Sequence, residues 1–119
     1  MKQICQIILA AIHCLSLSSA AMAGTAYDGS WNLTFVTQRG SCDPSYEFTV
    51  DISNGVVTHP NLRKFRGFVA SSGAARASVT VGEKYASGSG RLSHASGRGT
   101  WSGRSGTARC AGYWIAQRN

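Results

Sequence analysis

Hydrophobic and polar residues alternate along most of this chain with a period of two, the repeat of a strand that buries one face. Trp31, Leu33 and Phe35 alternate with Asn32, Thr34 and Val36, and predict a first strand. Tyr46, Phe48, Val50 and Ile52 alternate with Glu47, Thr49, Asp51 and Ser53 in the clearest strand pattern of the sequence. Asn54-Gly55 follows, and both residue types tolerate the positive φ that a two-residue hairpin turn needs. Val56-Val57-Thr58 is then the returning strand, ended by His59-Pro60-Asn61 because proline cannot donate to a ladder. Phe65 to Ala70, Arg76 to Val81 and Tyr85 to Leu92 read as three more strands, separated by Ser71-Ser72-Gly73 and Gly82-Glu83-Lys84. Strands recurring between turns at this short spacing predict an all-β sandwich or barrel.

The stretch from Ser87 to Gly106 is rich in glycine and serine and reads either as strands or as a linker. Gly29-Ser30-Trp31, Gly99-Thr100-Trp101 and Gly112-Tyr113-Trp114 favour strands. Residues two apart share a face, so each glycine leaves room beside an indole. A turn at His94-Ala95 sets Leu92 against Gly97, Gly90 against Gly99 and Gly88 against Trp101. A turn at Ser105-Gly106 would set Trp101 opposite Cys110, Gly99 opposite Gly112 and Gly97 opposite Trp114. Both arrangements oppose large residues to small ones, and inward glycines relieve crowding where a small barrel bends. The expectation is a small antiparallel β-barrel of about eight strands, closed by pairing the first strand with the last. Its core would hold Trp31, Leu33, Phe35, Tyr46, Phe48, Val50, Ile52, Trp101 and Trp114.

The first residues change the picture of where this domain works. Met1-Lys2-Gln3, an apolar run from Ile4 to Leu17 and the small-x-small ending at Ala23 form a secretory signal peptide over residues 1–23. The run is too short to span a membrane, and no second one follows. His13 before Cys14 does not suit a lipid-attachment site, so no lipid anchor is expected. Residues 24–119 form a single domain, periplasmic or extracellular, with a thin core for its size. Two of the four cysteines lie in the leader, and Cys42 and Cys110 remain as an even pair in an oxidising compartment. A disulfide between them is expected.

Charge suggests a class of partner. One of the 12 basic residues, Lys2, belongs to the leader, so the net charge falls from +7 to +6, and most of the remaining cations are arginine. A basic surface either serves solubility or attracts polyanions. On the register above, Arg91 faces Arg98, Arg98 faces Tyr113, and Arg104 and Arg109 lie nearby, all on the outer face. Adjacent arginines repel one another unless an anion lies across them, and a tyrosine adds a flat surface for a sugar. Arg91, Arg98, Arg104, Arg109 and Tyr113 are therefore the candidate ligand-binding residues. An anionic glycan, a lipopolysaccharide or an acidic protein is the expected partner, and nucleic acid is not.

No catalytic constellation emerges. Gly103-Arg104-Ser105-Gly106 is not a nucleophile elbow, and no phosphate-cradling glycine motif is present. Asp43, Glu47 and Asp51 read as outward residues of a loop and strand rather than as paired acid and base. His59 and His94 fall in turns without a ligand partner at metal spacing, so no metal and no cofactor are expected. Asn32-Leu33-Thr34 fits a glycosylation pattern but lies inside a strand behind a bacterial-type leader.

Tyr27-Asp28-Gly29-Ser30-Trp31, Ser41-Cys42-Asp43-Pro44-Ser45-Tyr46, Gly97-Arg98-Gly99-Thr100-Trp101-Ser102-Gly103 and Cys110-Ala111-Gly112-Tyr113-Trp114 together make the chain resemble small exported proteins of rhizobia and their relatives. These are often labelled haem-utilisation or adhesion exoproteins. The resemblance implies an exported, non-enzymatic binding or adhesion-type protein, and no haem ligand transfers with it onto this sequence. The chain is also similar to periplasmic metalloprotease inhibitors of the alkaline-protease-inhibitor type, small barrels with an early tryptophan and one disulfide that closes a shorter loop. That likeness implies an alternative, inhibition of a protease by insertion of residues 24–28. A structural envelope protein is the third reading.

Overall fold

A computed structural model describes residues 25–119, and the leader assigned to residues 1–23 lies outside the described residues. Eight strands run β1 (Gly29–Arg39), β2 (Ser45–Ser53), β3 (Val56–Thr58), β4 (Phe65–Val69), β5 (Ala74–Val81), β6 (Lys84–Leu92), β7 (Ser96–Ser105) and β8 (Ala108–Arg118). Each pairs antiparallel with the next, and β1 pairs with β8 to close the barrel. The Gly/Ser-rich stretch is thus β6 and β7. Among the described residues no helix is long and apolar enough to cross a membrane. The wall is apolar inside, while its outward positions on β5–β8 carry mainly arginine, serine and threonine, the reverse of a barrel that faces lipid.

Alternation sets this inside and outside. Trp31, Val50, Ile52, Trp101 and Trp114 are buried with Val57, Val69, Leu92 and Ala116. Leu33, Phe35, Tyr46 and Phe48 also sit at inward positions of β1 and β2, yet remain half-buried because β3, the neighbour of β2, pairs only with Asp51 to Ser53 and leaves this end of the wall open. β3 has only three residues and pairs two of them with β4. Asn54 and Gly55 take φ of +52° and +77°, as a two-residue hairpin turn of the expected kind requires.

The last hairpin differs from expectation by two residues. Trp101 stands opposite Gly112, Gly99 opposite Trp114, Gly97 opposite Ala116 and Cys110 opposite Gly103. A two-residue slip moves no side chain to the other face, so burial patterning alone cannot detect it. Turn chemistry decides it. Gly106, with φ +62°, holds the first central position of the turn, where glycine belongs in a II′ hairpin. This register gives Trp114 its floor. A Cβ on Gly99 or on Gly90 would come within 2.6 Å of the Trp114 ring, so only glycine lets the indole lie flat across β6 and β7. The β6–β7 register is as expected, with Leu92 opposite Gly97, Gly90 opposite Gly99 and Gly88 opposite Trp101.

Cys42 and Cys110 form a disulfide, with Cα atoms 6.1 Å apart and a sequence separation of 68. It ties the β1–β2 loop to the start of β8. Closing a loop of this length stabilises by about 4 kcal/mol on the chain-entropy argument.

Candidate functional site

The outer wall made by β5 to β8 carries the candidate arginines. On β6 and β7, Arg91 stands directly opposite Arg98, as expected. Arg104 of β7 stands opposite Arg109 of β8, forming a second like-charged pair. Arg98 lies opposite Ile115 rather than Tyr113, because the β7–β8 register is shifted by two residues. Tyr113 lies instead beside Thr100 and Val36. It is still outward and 39% exposed, in a row between the two arginine pairs. Six positions along β7, from Arg98 to Arg104, separate the pairs, about 20 Å at strand rise. Ser87, Ser89, Thr100 and Ser102 occupy the outward positions in that interval.

Acidic residues are sparse on this wall, although Glu83 of the β5–β6 turn lies beside the β7–β8 turn, where its carbonyl accepts from Gly106 N–H at 3.2 Å. From Lys84 to Asn119 the sequence has six cations and no aspartate or glutamate. Glu47 and Asp51 lie at outward positions of β2, across the barrel from β6. Arg91 donates a hydrogen bond to Ser72 O at 3.1 Å, which holds it over the β4–β5 turn. Among the described residues no carboxylate pairs with Arg98, Arg104 or Arg109. Directly opposed side chains stand about 5 Å apart at Cβ, close enough for one anionic group to meet both members of a pair.

The two ends of the barrel differ. At one end, Arg118 turns inward over the Trp31 ring, its guanidinium carbon 5.4 Å from the ring centroid. It donates to the carbonyls of Ala26, Asp28 and His94. The Asp28 carboxylate accepts from the backbone of Asn54 and Gly55, and Tyr27 O accepts from the Trp31 indole at 2.8 Å. Residues 25–28 are therefore held against the barrel at this end.

The other end is an apolar mouth with a cavity of about 310 Å³. Phe35, Tyr46, Phe48, Phe65, Val79 and Trp101 contribute to its wall. His59 stands at the rim, edge-on to Phe48 with ring centroids 5.9 Å apart and tilted against Phe65 at 6.4 Å. Its Nδ1 accepts the Asn61 N–H at 3.1 Å. The mouth was not among the sequence-derived candidates: Phe65 and Val79 were read only as strand residues, Lys84 only as a turn residue, and Leu62 had no role assigned. Two signals point to it. The apolar side chains of Tyr46 and Phe48 need cover, and the strand after Asn54-Gly55 stops at Pro60 before it can supply any.

The chain matches no protein-family model, no curated protein and no solved structure in comparisons with all three.

Proposed function

We propose that this is an exported, non-enzymatic binding protein of adhesion type, which holds an anionic glycan or surface on the outer wall of β5–β8. One observation carries the reading: two directly opposed arginine pairs, Arg91 with Arg98 and Arg104 with Arg109, in a stretch that contains no acidic residue. Like charges directly opposite destabilise a sheet, so the arrangement is unfavourable until an anion neutralises it. Each pair offers two planar forks to a carboxylate or sulfate. The serine and threonine hydroxyls between the pairs suit sugar hydroxyls, and the exposed Tyr113 ring gives a sugar face an apolar platform. A polymer with charges at intervals of about 20 Å or less engages both pairs at once, and the second contact is then intramolecular. The leader and the Cys42–Cys110 pair support export.

The test is binding to dextran sulfate and to polygalacturonate at several salt concentrations. Binding is expected at low ionic strength and should weaken steeply by about 0.5 M salt, where the screening length falls to a few ångströms. The quadruple variant Arg91→Gln, Arg98→Gln, Arg104→Gln, Arg109→Gln should lose it while keeping its fold. Salt-independent binding, or a quadruple variant that binds like the parent, would refute the arginine wall.

A further inference from the structure

Independently of that outer wall, the open end of the barrel has the form of a ligand site, and we infer that it takes a single-chain anionic amphiphile, a fatty-acid carboxylate. The mouth, about 310 Å³, does not end at its apparent floor. A further chamber of about 70 Å³ lies deeper, beside Trp31 and Trp114. Phe35, Phe65, Val79 and Ala86 line both, so the two spaces abut across one ring of side chains, the neck that a bound tail would thread. A cavity with such an apolar lining stays dry and gains from a hydrocarbon occupant, because water there finds too few polar partners. The shape is that of a blind channel entered from one end, since Arg118 and residues 25–28 seal the other.

Charge at the entrance selects the head group. Lys84 and Arg104 are the charged side chains of the mouth's lining, and among the described residues no carboxylate shares it. Asp43 and Glu83 lie in loops at this end, outside the lining. The tail therefore passes the Ala86 neck while the carboxylate stays at the rim with the two cations. A cationic or uncharged amphiphile would fill the channel equally well but meet no partner at the entrance. Arg104 also belongs to the outer wall, so Lys84 carries the specific test.

Trp101 lines the mouth, which makes binding visible in the protein as purified. Titration with bromine-labelled dodecanoate should quench tryptophan fluorescence. In calorimetry with unlabelled acids, affinity should rise about fourfold per added methylene and then stop rising once the chain fills the channel. Dodecanoate should bind more tightly than dodecanol and dodecyltrimethylammonium. Lys84→Glu, at an exposed position, should weaken dodecanoate about tenfold and leave dodecanol unchanged. Ala86→Phe, which fills the neck, should abolish both; if that variant does not fold, Val79→Met narrows the same neck with a smaller change and should shorten the longest chain accepted. Absence of binding overturns the proposal. So do equal affinities for the three head groups, affinity that climbs with chain length without a plateau, and a Lys84→Glu variant that binds dodecanoate like the parent. Sedimentation as a dimer that dodecanoate does not perturb would assign the mouth to a second copy of the chain and overturn it equally.

Discussion

At the end where β1 begins, Arg118, Tyr27 and Asp28 fill and stitch the barrel; at the end where β1 finishes, the same strands frame a mouth lined by aromatic rings. The difference comes from strand length. β1 and β8 run eleven residues each and reach both ends. β3 stops after three, and β4 begins only at Phe65, so the wall beside Tyr46 and Phe48 is cut short. A barrel of eight strands is just wide enough for its side chains to fill, and a short strand leaves part of that interior unfilled. At the sealed end side-chain packing and hydrogen bonds hold the strands, whereas the open end relies on the disulfide and spares apolar surface for something else.

The largest expected effect concerns the one covalent tie, which lies at the open end. Replacing both cysteines, Cys42→Ser with Cys110→Ser, should cost about 4 kcal/mol in urea unfolding. It should also act locally. Amides around the β1–β2 loop should lose hydrogen-exchange protection before those of β7, since that loop is anchored to β8 through the bridge. Loss of protection spread evenly over both ends would contradict the division between them.

Two truncations on one strand sharpen the comparison. Ile52 lies at the sealed half of β2 and is 5% exposed; Phe48 lies four residues earlier, in the mouth. Ile52→Ala should cost about 3 kcal/mol, through lost transfer energy and the cavity it leaves. Phe48→Ala removes a larger side chain but should cost only about 1 kcal/mol, mostly from its contacts with Phe35, Tyr46 and His59. Equal losses would mean that the mouth is as tightly packed as the core.

Arg118→Ala comes next, at about 2 kcal/mol, because three carbonyls lose a charged donor and Trp31 loses its cation. Arg118→Lys should recover only part of this, since an ammonium cannot reach three carbonyls from one planar fork. Full rescue by lysine would show that charge alone seals that end.

Alternation and turn chemistry made the barrel legible in the sequence. Tyr46 to Ile52 and Asn54-Gly55 pointed to strand and turn positions that the structure bears out. Of the three Gly-x-Trp glycines, by contrast, only Gly99 makes room for an indole, that of Trp114, while a Cβ on Gly29 or Gly112 would meet Arg118 or the Val36 backbone. The β7–β8 register was not legible from burial, because Trp101 stays inside whether it faces Cys110 or Gly112. It was legible from Gly106 as the first residue of a II′ turn. The arginine pairs fared unevenly for the same reason: Arg91 against Arg98 depended on the correctly placed turn, Arg98 against Tyr113 on the misplaced one. The mouth was hidden because period two says which face is inward and not how far the neighbouring strand extends. Phe48 and Val50 carry the same pattern signal, yet one is half-buried at the rim and the other is 1% exposed.

The smallest expected effects distinguish the ends from outside. Arg91 and Arg98 lie toward the sealed end, Arg104 and Arg109 toward the open one. Arg91 has a carbonyl partner in Ser72, so part of its cost is offset, whereas Arg104 and Arg109 face each other without one. Neutralising the open-end pair, Arg104→Gln with Arg109→Gln, should raise stability by up to about 0.5 kcal/mol at low salt, through relief of like-charge repulsion. Arg91→Gln with Arg98→Gln should leave stability nearly unchanged, because the lost hydrogen bond cancels the relieved repulsion. Both differences should vanish as salt screens the exposed charges. Melting curves of the two double variants at low and high salt measure this directly. A stability gain that survives high salt, or one confined to the sealed-end pair, would mean that repulsion between the arginines is not what distinguishes the two positions.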